Sequence, residues 1–250
     1  MNAPSVDYDA IAAAYAADRA ASPRLVGHVL AELSRRGARP GRLLEVGCGT
    51  ADHLAALCDA LGAEGAGLDR SEGMLAEGRR KHPGLVLRAG DAEREHPFPP
   101  EAFDLVFSVD VVHYLSALPR CFAEARRALR SGGFALAVTD AHEQIPRRSI
   151  SRYFPESVAP ELARYPDVPD LVEAMRAAGL VDVEVTRTEH AAPMTDALAE
   201  PYRRRAFSAL RLLPEAAFQA GLRRLEAALA EGTAEAVEVH AYVWGRRGTG

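Results

Sequence analysis

The chain is poor in cysteine, with only Cys48, Cys58 and Cys121 among its 250 residues. Their scattered spacing indicates neither a disulfide framework nor a zinc site, so no metal is expected. No segment approaches about 18 continuous apolar residues, and no basic stretch followed by an apolar run begins the chain. Positive charge is not in excess either, because the formal net charge is −5. We therefore expect a cytoplasmic protein that contacts neither membranes nor nucleic acid.

A strand, a glycine turn and a helix are predicted near residue 50. The apolar run at 43–46 is followed by Gly47 and Gly49, and a helical pattern begins at Asp52. Such a turn gathers backbone N–H groups and the positive end of a helix at one point, which suits an anionic or polar ligand. Cys48, within the turn, is interpreted as a small residue that fits there and not as a nucleophile.

Further apolar runs alternate with helical patterns along the chain. The run at 65–68 ends in Asp69, about 20 positions after the glycine turn, where a carboxylate can accept hydrogen bonds from ribose hydroxyls. Runs at 85–89, 103–108 and 134–138 follow, each with polar residues after it. This alternation predicts an α/β protein with a doubly wound sheet, whose ligands bind at the carboxyl ends of the strands.

Five motifs, taken in order, resemble the class I S-adenosylmethionine-dependent methyltransferases, and in particular the small-molecule, methyltransferase type 11-like family. They lie at residues 44–50, 67–75, 90–93, 103–108 and 129–133. The resemblance implies a Rossmann-like, mostly parallel seven-stranded sheet with an antiparallel last strand. It also implies the cofactor S-adenosyl-L-methionine and methyl transfer, by in-line displacement, to an oxygen, nitrogen or carbon atom of a small-molecule metabolite.

Two other readings stay open. An NAD(P)-dependent oxidoreductase has a similar glycine fingerprint, but Asp52 stands here in the place of its third glycine. A cofactor-binding protein that does not transfer methyl would keep the acids Asp69 and Asp91 and would not need His113. Glu45, two residues before Gly47, fits the methyltransferase pattern best.

The resemblance assigns most of the candidate cofactor residues. The glycine turn and Asp69 would hold the amino acid and the ribose, while Asp91, the Ala92 N–H group and Met74 would face the adenine. The backbone of Ser108 would point at the amino group of the cofactor. The full predicted cofactor set is Tyr15, Arg19, Glu45, Gly47, Cys48, Gly49, Asp69, Arg70, Met74, Asp91, Ala92 and Ser108.

His113 is the candidate catalytic residue. It lies where the family places residues that face the transferred methyl, and an imidazole can accept a proton near neutral pH. The alternative is a structural histidine, since alignment of the reactants can be sufficient for this reaction. His142 and Tyr153 are second-rank candidates in a segment without clear periodicity.

We expect one domain over residues 1–250. The resemblance implies N-terminal lid helices at 1–40, with Tyr8 or Tyr15 near the sulfonium and Arg19 near the cofactor carboxylate. A cofactor-binding core is expected at 41–187 and the last strand at 237–247. The stretch 188–236 is too long for a hairpin and carries helical patterns at 198–213 and 214–231. We interpret this stretch as a helical cap over a substrate pocket. Its helices could instead cover a sheet face or form a dimer surface. The chain is expected to be a monomer or a homodimer.

Overall fold

The protein is represented by a computed structural model that describes residues 8–18, 20–94 and 96–249. Strands and helices alternate through the first half of the chain, as the apolar runs predict. The strands are β1 (Arg42–Val46), β2 (Glu64–Asp69), β3 (Val86–Ala89), β4 (Phe103–Val109), β5 (Leu129–Thr139), β6 (Leu180–Pro193) and β7 (Glu235–Arg247). The helices are α1 (Tyr8–Asp18), α2 (Pro23–Arg35), α3 (Asp52–Leu61), α4 (Glu72–Lys81), α5 (Leu118–Ala128), α6 (Ser149–Tyr153), α7 (Val158–Arg164), α8 (Val168–Ala177), α9 (Asp196–Arg203), α10 (Ser208–Arg211) and α11 (Glu215–Ala230).

The strands form one seven-stranded sheet in the order β3-β2-β1-β4-β5-β7-β6. β1 pairs in parallel with both β2 and β4, and β2–β3 and β4–β5 are also parallel. The predicted doubly wound sheet is thereby confirmed. Because the chain moves outward in both directions from β1 and β4, the carboxyl ends of these two strands form the switch point where ligands of such sheets bind.

The described chain folds into two compact units. The sheet unit contains residues 8–138, 169–185 and 243–249, and the second unit contains residues 139–168 and 186–242. Every residue of the cofactor set that the structure describes lies in the sheet unit, and so does His113. Among residues 8–18, 20–94 and 96–249, no helix is both long enough and apolar enough to cross a membrane.

Local sequence explains where the helices of the sheet unit begin and end. The Ser22 hydroxyl accepts a hydrogen bond from the Leu25 N–H group, and Pro23 supplies a first helical residue that needs no donor. Ser71 caps α4 in the same way through the Met74 N–H group. Gly62 ends α3 in the left-handed region, at φ 65°, which glycine adopts without strain.

The ends of the last two strands differ from the prediction. β6 continues to Pro193, beyond the predicted end of the core at residue 187, and β7 begins at Glu235 instead of 237. β6 is an edge strand, and an edge strand can continue with polar side chains because part of its surface stays in solvent. The helical insertion is consequently shorter than 188–236, and its three helices lie between residues 196 and 230.

The second unit is built around a cluster of apolar side chains. Phe154 is fully buried there and stacks on Tyr202 and Phe218. The single helix predicted over 198–213 is wrong: it is divided into α9 and α10, because Arg205 adopts a left-handed φ of 51° and Phe207 is extended. That these helices cover a substrate pocket stays a prediction.

Candidate active site

The glycine turn between β1 and α3 adopts the conformation that its sequence predicts. Gly47, Gly49 and Ala51 all have positive φ angles, at 70°, 52° and 61°. The turn is fixed by the neighbouring strand, because the Gly47 and Cys48 N–H groups both donate to the Leu68 carbonyl, at 2.7 and 3.0 Å. The backbone of the turn is thereby held at the switch point, and Gly47 and Gly49 have no side chains of their own to shield it.

Asp69 is positioned by backbone groups on both sides. Its Oδ2 atom accepts from the Gly49 N–H group at 2.8 Å, and its Oδ1 atom accepts from the Ser71 N–H group at 2.9 Å. Each carboxylate oxygen has a second lone pair, so this geometry leaves acceptor capacity on both atoms. Burial raises the pKa of Asp69, while these backbone hydrogen bonds oppose the shift. The result is a fixed acceptor at the end of β2.

Glu45 lies beneath the same turn and is almost fully buried, at 2% exposure. Its Oε2 atom accepts from the Leu54 N–H group at 3.1 Å. Burial raises the pKa of this carboxyl group well above its usual range, and the hydrogen bond from Leu54 only partly opposes the shift. A buried acid of this kind is stabilised in its charged form by a cationic group that approaches it.

Two sulfur-containing residues line the turn. Burial raises the pKa of the Cys48 thiol well above its ordinary value, so the thiol is not activated as a nucleophile. Met74 is buried, and its Cε atom would lie 3.2 Å from a Cβ atom at Gly49. Met74 therefore presents an apolar side chain directly to the turn, while it also contributes to the core.

The loop after β3 places Asp91 close to basic side chains. Its Oδ2 atom lies 3.7 Å from Arg70 and 3.8 Å from Arg94, and its Oδ1 atom accepts from the Glu93 N–H group at 2.9 Å. Arg70 is about two-thirds exposed, so its contribution to the site is a weak, solvated pairing. The Ala92 carbonyl lies 3.2 Å from His96 Nε2, which orders the loop from its other side.

Glu93 connects this loop to the segment that follows β4, and the sequence does not predict this role. Its carboxylate accepts from the Ser116 N–H group at 2.8 Å and from the Ser116 hydroxyl at 3.0 Å. It also accepts from the Ala117 N–H group. The spacing of 23 residues carries no local signal, so only the folded chain reveals the contact.

The segment after β4 packs directly on the glycine turn. A Cβ atom at Gly47 would lie 2.4 Å from the Cγ2 atom of Val111, so only glycine permits this approach. Ser108 and His113 are both buried, and Asp110 between them has a left-handed φ of 56°. His113 follows two residues after Val111, on the segment that packs on the turn, and its role at the reacting group stays a prediction.

Helix α1 also reaches this region, through aromatic rings. Tyr15 and Tyr8 form an edge-to-face pair with centroids 6.1 Å apart, and Tyr8 forms a second such pair with Tyr114 at 5.8 Å. Tyr15 is half-buried in this cluster. Arg19, predicted to pair with a cofactor carboxylate, lies outside the described residues.

The two second-rank candidates lie in the second unit. His142 Nε2 is 2.8 Å from the Tyr165 carbonyl. The Tyr153 hydroxyl accepts from the Glu235 N–H group at 2.8 Å and donates to the Glu235 carbonyl at 3.1 Å. Tyr153 therefore joins α6 to the beginning of β7, which is a structural function.

The arrangement in the sheet unit suits a ligand with a cationic end and a hydroxyl-bearing end. Glu45 offers a buried carboxyl group that a cationic partner would stabilise in its charged form, and Asp69 offers oriented acceptors for a pair of hydroxyl groups. The glycine turn admits the ligand to the main chain between them. These features fit an amino acid joined to a nucleoside, which is the composition of S-adenosyl-L-methionine.

Comparison with known proteins agrees with this fit. Residues 44–137 match the family model described as a methyltransferase domain. Demethylmenaquinone methyltransferase of Lysinibacillus sphaericus is 35% identical over 133 residues, which cover 49% of this chain and 55% of the relative. Malonyl-acyl-carrier-protein O-methyltransferase of Geobacter sulfurreducens is 35% identical over 138 residues, covering 54% and 49%. The chain thus spans about half the length of each of these relatives.

Solved structures extend the similarity of fold beyond the matched segment. A protein of Anabaena variabilis, described as a methyltransferase from an antibiotic biosynthesis pathway, has a TM-score of 0.71 at 20% identity, covering 91% of this chain and 98% of that one. A phosphoethanolamine N-methyltransferase of Haemonchus contortus, in complex with S-adenosyl-L-methionine, has a TM-score of 0.59 at 21% identity, covering 96% and 57%. At these identities the likeness concerns the fold.

Proposed function

We propose that the chain, through its core at residues 44–137, is a class I S-adenosylmethionine-dependent methyltransferase, and that it methylates a small-molecule metabolite. The observation that carries the proposal is the fixing of Asp69 by two backbone N–H groups at the switch point. A carboxylate oriented in this way, beside a glycine turn, can accept hydrogen bonds from the ribose hydroxyl groups of the cofactor.

The cofactor residues have distinct proposed tasks. Glu45 supplies the negative charge that attracts the α-ammonium group, and the glycine turn accommodates the amino-acid portion. Asp69 accepts from the ribose hydroxyls, while Asp91 and Met74 face the adenine. Support for these assignments comes from the burial of Glu45 and from the two oriented oxygens of Asp69.

The bound cofactor supplies a methyl group on a sulfonium, which is already activated for displacement. The protein must hold the acceptor in line with it and, where the acceptor carries a proton, receive that proton. We assign the second task to His113, because it is buried on the segment that packs against Gly47. Tyr114, in ring contact with His113 at 4.1 Å, orients the imidazole.

Several finer points belong to the same proposal. The two relatives are named for different acceptors, demethylmenaquinone and malonyl-acyl-carrier protein, so similarity to them does not select one acceptor. The proposal therefore covers oxygen, nitrogen and carbon acceptors. We propose a cytoplasmic enzyme without a nucleic-acid or membrane partner, in line with the net charge of −5. A monomer and a homodimer are both compatible with this site, because every described residue of the site belongs to one sheet unit.

The first test is calorimetric titration of the purified protein with S-adenosylhomocysteine, with NAD in parallel. We expect micromolar binding of S-adenosylhomocysteine alone, and a screen of small-molecule acceptors follows from that result. Binding of NAD without binding of S-adenosylhomocysteine would refute the proposal and favour an oxidoreductase.

A matched pair of variants makes the titration specific to the site. Asp69→Ala should weaken S-adenosylhomocysteine binding by about 2 kcal/mol, or roughly thirtyfold, through the loss of charge-assisted hydrogen bonds. Asp104 is the control, because its Oδ2 atom also accepts from two backbone N–H groups, those of Gly41 and Arg42, at the amino ends of β4 and β1. Asp104→Ala should leave the affinity within twofold, and equal losses in both variants would contradict the assignment of Asp69.

A further inference from the structure

Glu93 lies in the loop after β3 (residues 90–94), which we call the adenine loop because the proposed adenine residues belong to it. The N–H group of Glu93 donates to Asp91 Oδ1 at 2.9 Å, so its backbone is fixed by the acid that we assign to the adenine. Its side-chain Oε1 atom accepts from the Ser116 N–H group at 2.8 Å and from the Ser116 hydroxyl at 3.0 Å. The Ala117 N–H group donates to the same oxygen. One residue therefore contacts both the adenine loop and the segment after β4.

Helix α5 receives from Glu93 what its own sequence does not supply. Ala117 occupies the N-cap position of α5 and makes no side-chain capping hydrogen bond, because alanine has no polar side-chain atom. The Glu93 carboxylate instead accepts from the Ser116 and Ala117 N–H groups and brings a negative charge to the positive end of the helix. Hydrogen bonds to a charged acceptor are stronger than those between neutral groups. The position of the adenine loop therefore constrains the place where α5 begins.

The segment after β4 is held at both of its ends. Val111 packs on the glycine turn at one end, and Ser116 is held by Glu93 at the other. A short turn over Val112–Tyr114 lies between these two contacts, and the buried His113 is its middle residue. The position of the proposed base therefore depends on Glu93 as well as on the glycine turn.

We propose that Glu93 is a positioning residue for methyl transfer, which connects the adenine loop to the segment that carries His113. The inference rests on the proposed function and deepens it, because it couples the two ends of one site. Adenine bound at Asp91 fixes the loop, and the fixed loop holds Ser116 in place through the Glu93 carboxylate. Coupling of this kind is reciprocal, since each end is ordered by the other. The segment with the proposed base is therefore fully ordered only when the cofactor is bound.

Substitutions at two acids separate this role from a general effect on the loop. Glu93→Ala removes every contact of the carboxylate, whereas Glu93→Gln keeps one oxygen that can accept from the Ser116 and Ala117 N–H groups. Glu124→Ala is the matched control, because Glu124 also attaches the stretch after β3 to α5 by accepting from the His96 N–H group at 3.0 Å. That contact lies within α5 and not at its beginning. Glu93→Asp, whose shorter side chain withdraws the carboxylate, replaces Glu93→Ala if the latter does not fold.

Amide-resolved hydrogen exchange of the full-length protein tests the connection without an acceptor. In the free protein, the amides of Ser116 and Ala117 should exchange about tenfold faster in Glu93→Ala and at the wild-type rate in Glu124→Ala. S-adenosylhomocysteine should slow exchange of these two amides about fivefold in wild type and in Glu93→Gln, but not in Glu93→Ala. Wild-type rates in Glu93→Ala, or an equal ligand effect in all variants, would overturn the proposal.

Kinetics with the acceptor found in the screen separate positioning from a purely structural role. Glu93→Ala should lower kcat about tenfold, because His113 loses its alignment, and should weaken S-adenosylhomocysteine binding by no more than about fivefold, the size of the coupling. Glu93→Gln should restore kcat to within about threefold of wild type, and Glu124→Ala should leave it within about twofold. Equal losses of kcat in Glu93→Ala and Glu124→Ala, or a wild-type kcat in Glu93→Ala, would refute the positioning role.

Failure of the proposed function gives a different result from failure of this inference. If the wild-type protein does not bind S-adenosylhomocysteine, the methyltransferase proposal fails, whereas the exchange rates of Ser116 and Ala117 in the free protein still decide whether Glu93 holds the segment after β4. If the ligand binds and slows exchange in residues 90–94 alone, the methyltransferase proposal stands and the coupling through Glu93 is refuted.

Discussion

Replacement of Glu45 by glutamine should make the free protein more stable and the cofactor complex weaker. Glutamine keeps an oxygen that can accept from the Leu54 N–H group, but it removes the charge that burial disfavours. A functional carboxylate in this position therefore destabilises the empty site, and the cationic group of the ligand offsets that cost on binding.

The size of this effect depends on pH in a defined direction. Burial raises the pKa of Glu45 in the folded protein above its value of 4.5 in the unfolded chain. The contribution of Glu45 to the free energy of unfolding is therefore fully present below pH 4.5, and it is lost as the pH rises toward the folded-state pKa. Each pH unit in that window costs about 1.4 kcal/mol, so at pH 7 the loss cannot exceed roughly 3 kcal/mol. For a protein of this size, each kcal/mol lowers Tm by about 2–4 °C.

Thermal unfolding of wild type and Glu45→Gln between pH 5 and pH 8, without ligand, tests this reasoning. The variant should unfold at a higher temperature, and its advantage should grow with pH. Glu64→Gln is the control, since Glu64 is largely exposed and pairs with Arg42 on the surface. Calorimetry with S-adenosylhomocysteine should show proton release in the wild type and about thirtyfold weaker binding in Glu45→Gln. A Tm difference that does not vary with pH would refute the argument.

Three further outcomes are expected. His113→Ala should leave S-adenosylhomocysteine binding intact and lower kcat about a hundredfold if His113 is the base, whereas unchanged turnover would eliminate that role. Gly221→Ala should destabilise the protein by about 3 kcal/mol in urea unfolding, because its Cβ atom would lie 1.9 Å from Phe154, while Gly27→Ala, with nothing within 4 Å, should not. Burial raises the pKa values of the Cys58 and Cys121 thiols to about 11 and about 12, and it raises the pKa of Cys48 well above its usual range. None of the three thiols should therefore react with a thiol reagent at pH 8 until the chain is unfolded. Fast reaction of the native protein would contradict this prediction.

The cofactor end of the site can be predicted from the sequence because short motifs determine its structure. A buried strand followed by glycines fixes the turn, and a parallel neighbour brings Asp69 to the same sheet edge about 20 residues later. The attachments of Asp9 to α4 and of Glu93 to Ser116 have no such signal. They join segments 62 and 23 positions apart, and either acid on its own resembles an ordinary surface residue.

The family match covers the cofactor end of the candidate site but not the whole chain. The matched segment, residues 44–137, contains the turn, Asp69, Asp91 and His113, but it excludes α1 and the whole second unit. Relatives that match this segment nevertheless carry different acceptors in their names. Acceptor choice must therefore depend on features that vary within the matched segment or lie outside it. Tyr8 lies outside the segment and its hydroxyl oxygen is 2.6 Å from that of Tyr114 inside it, so the region after β4 is completed by contacts that the matched segment does not contain.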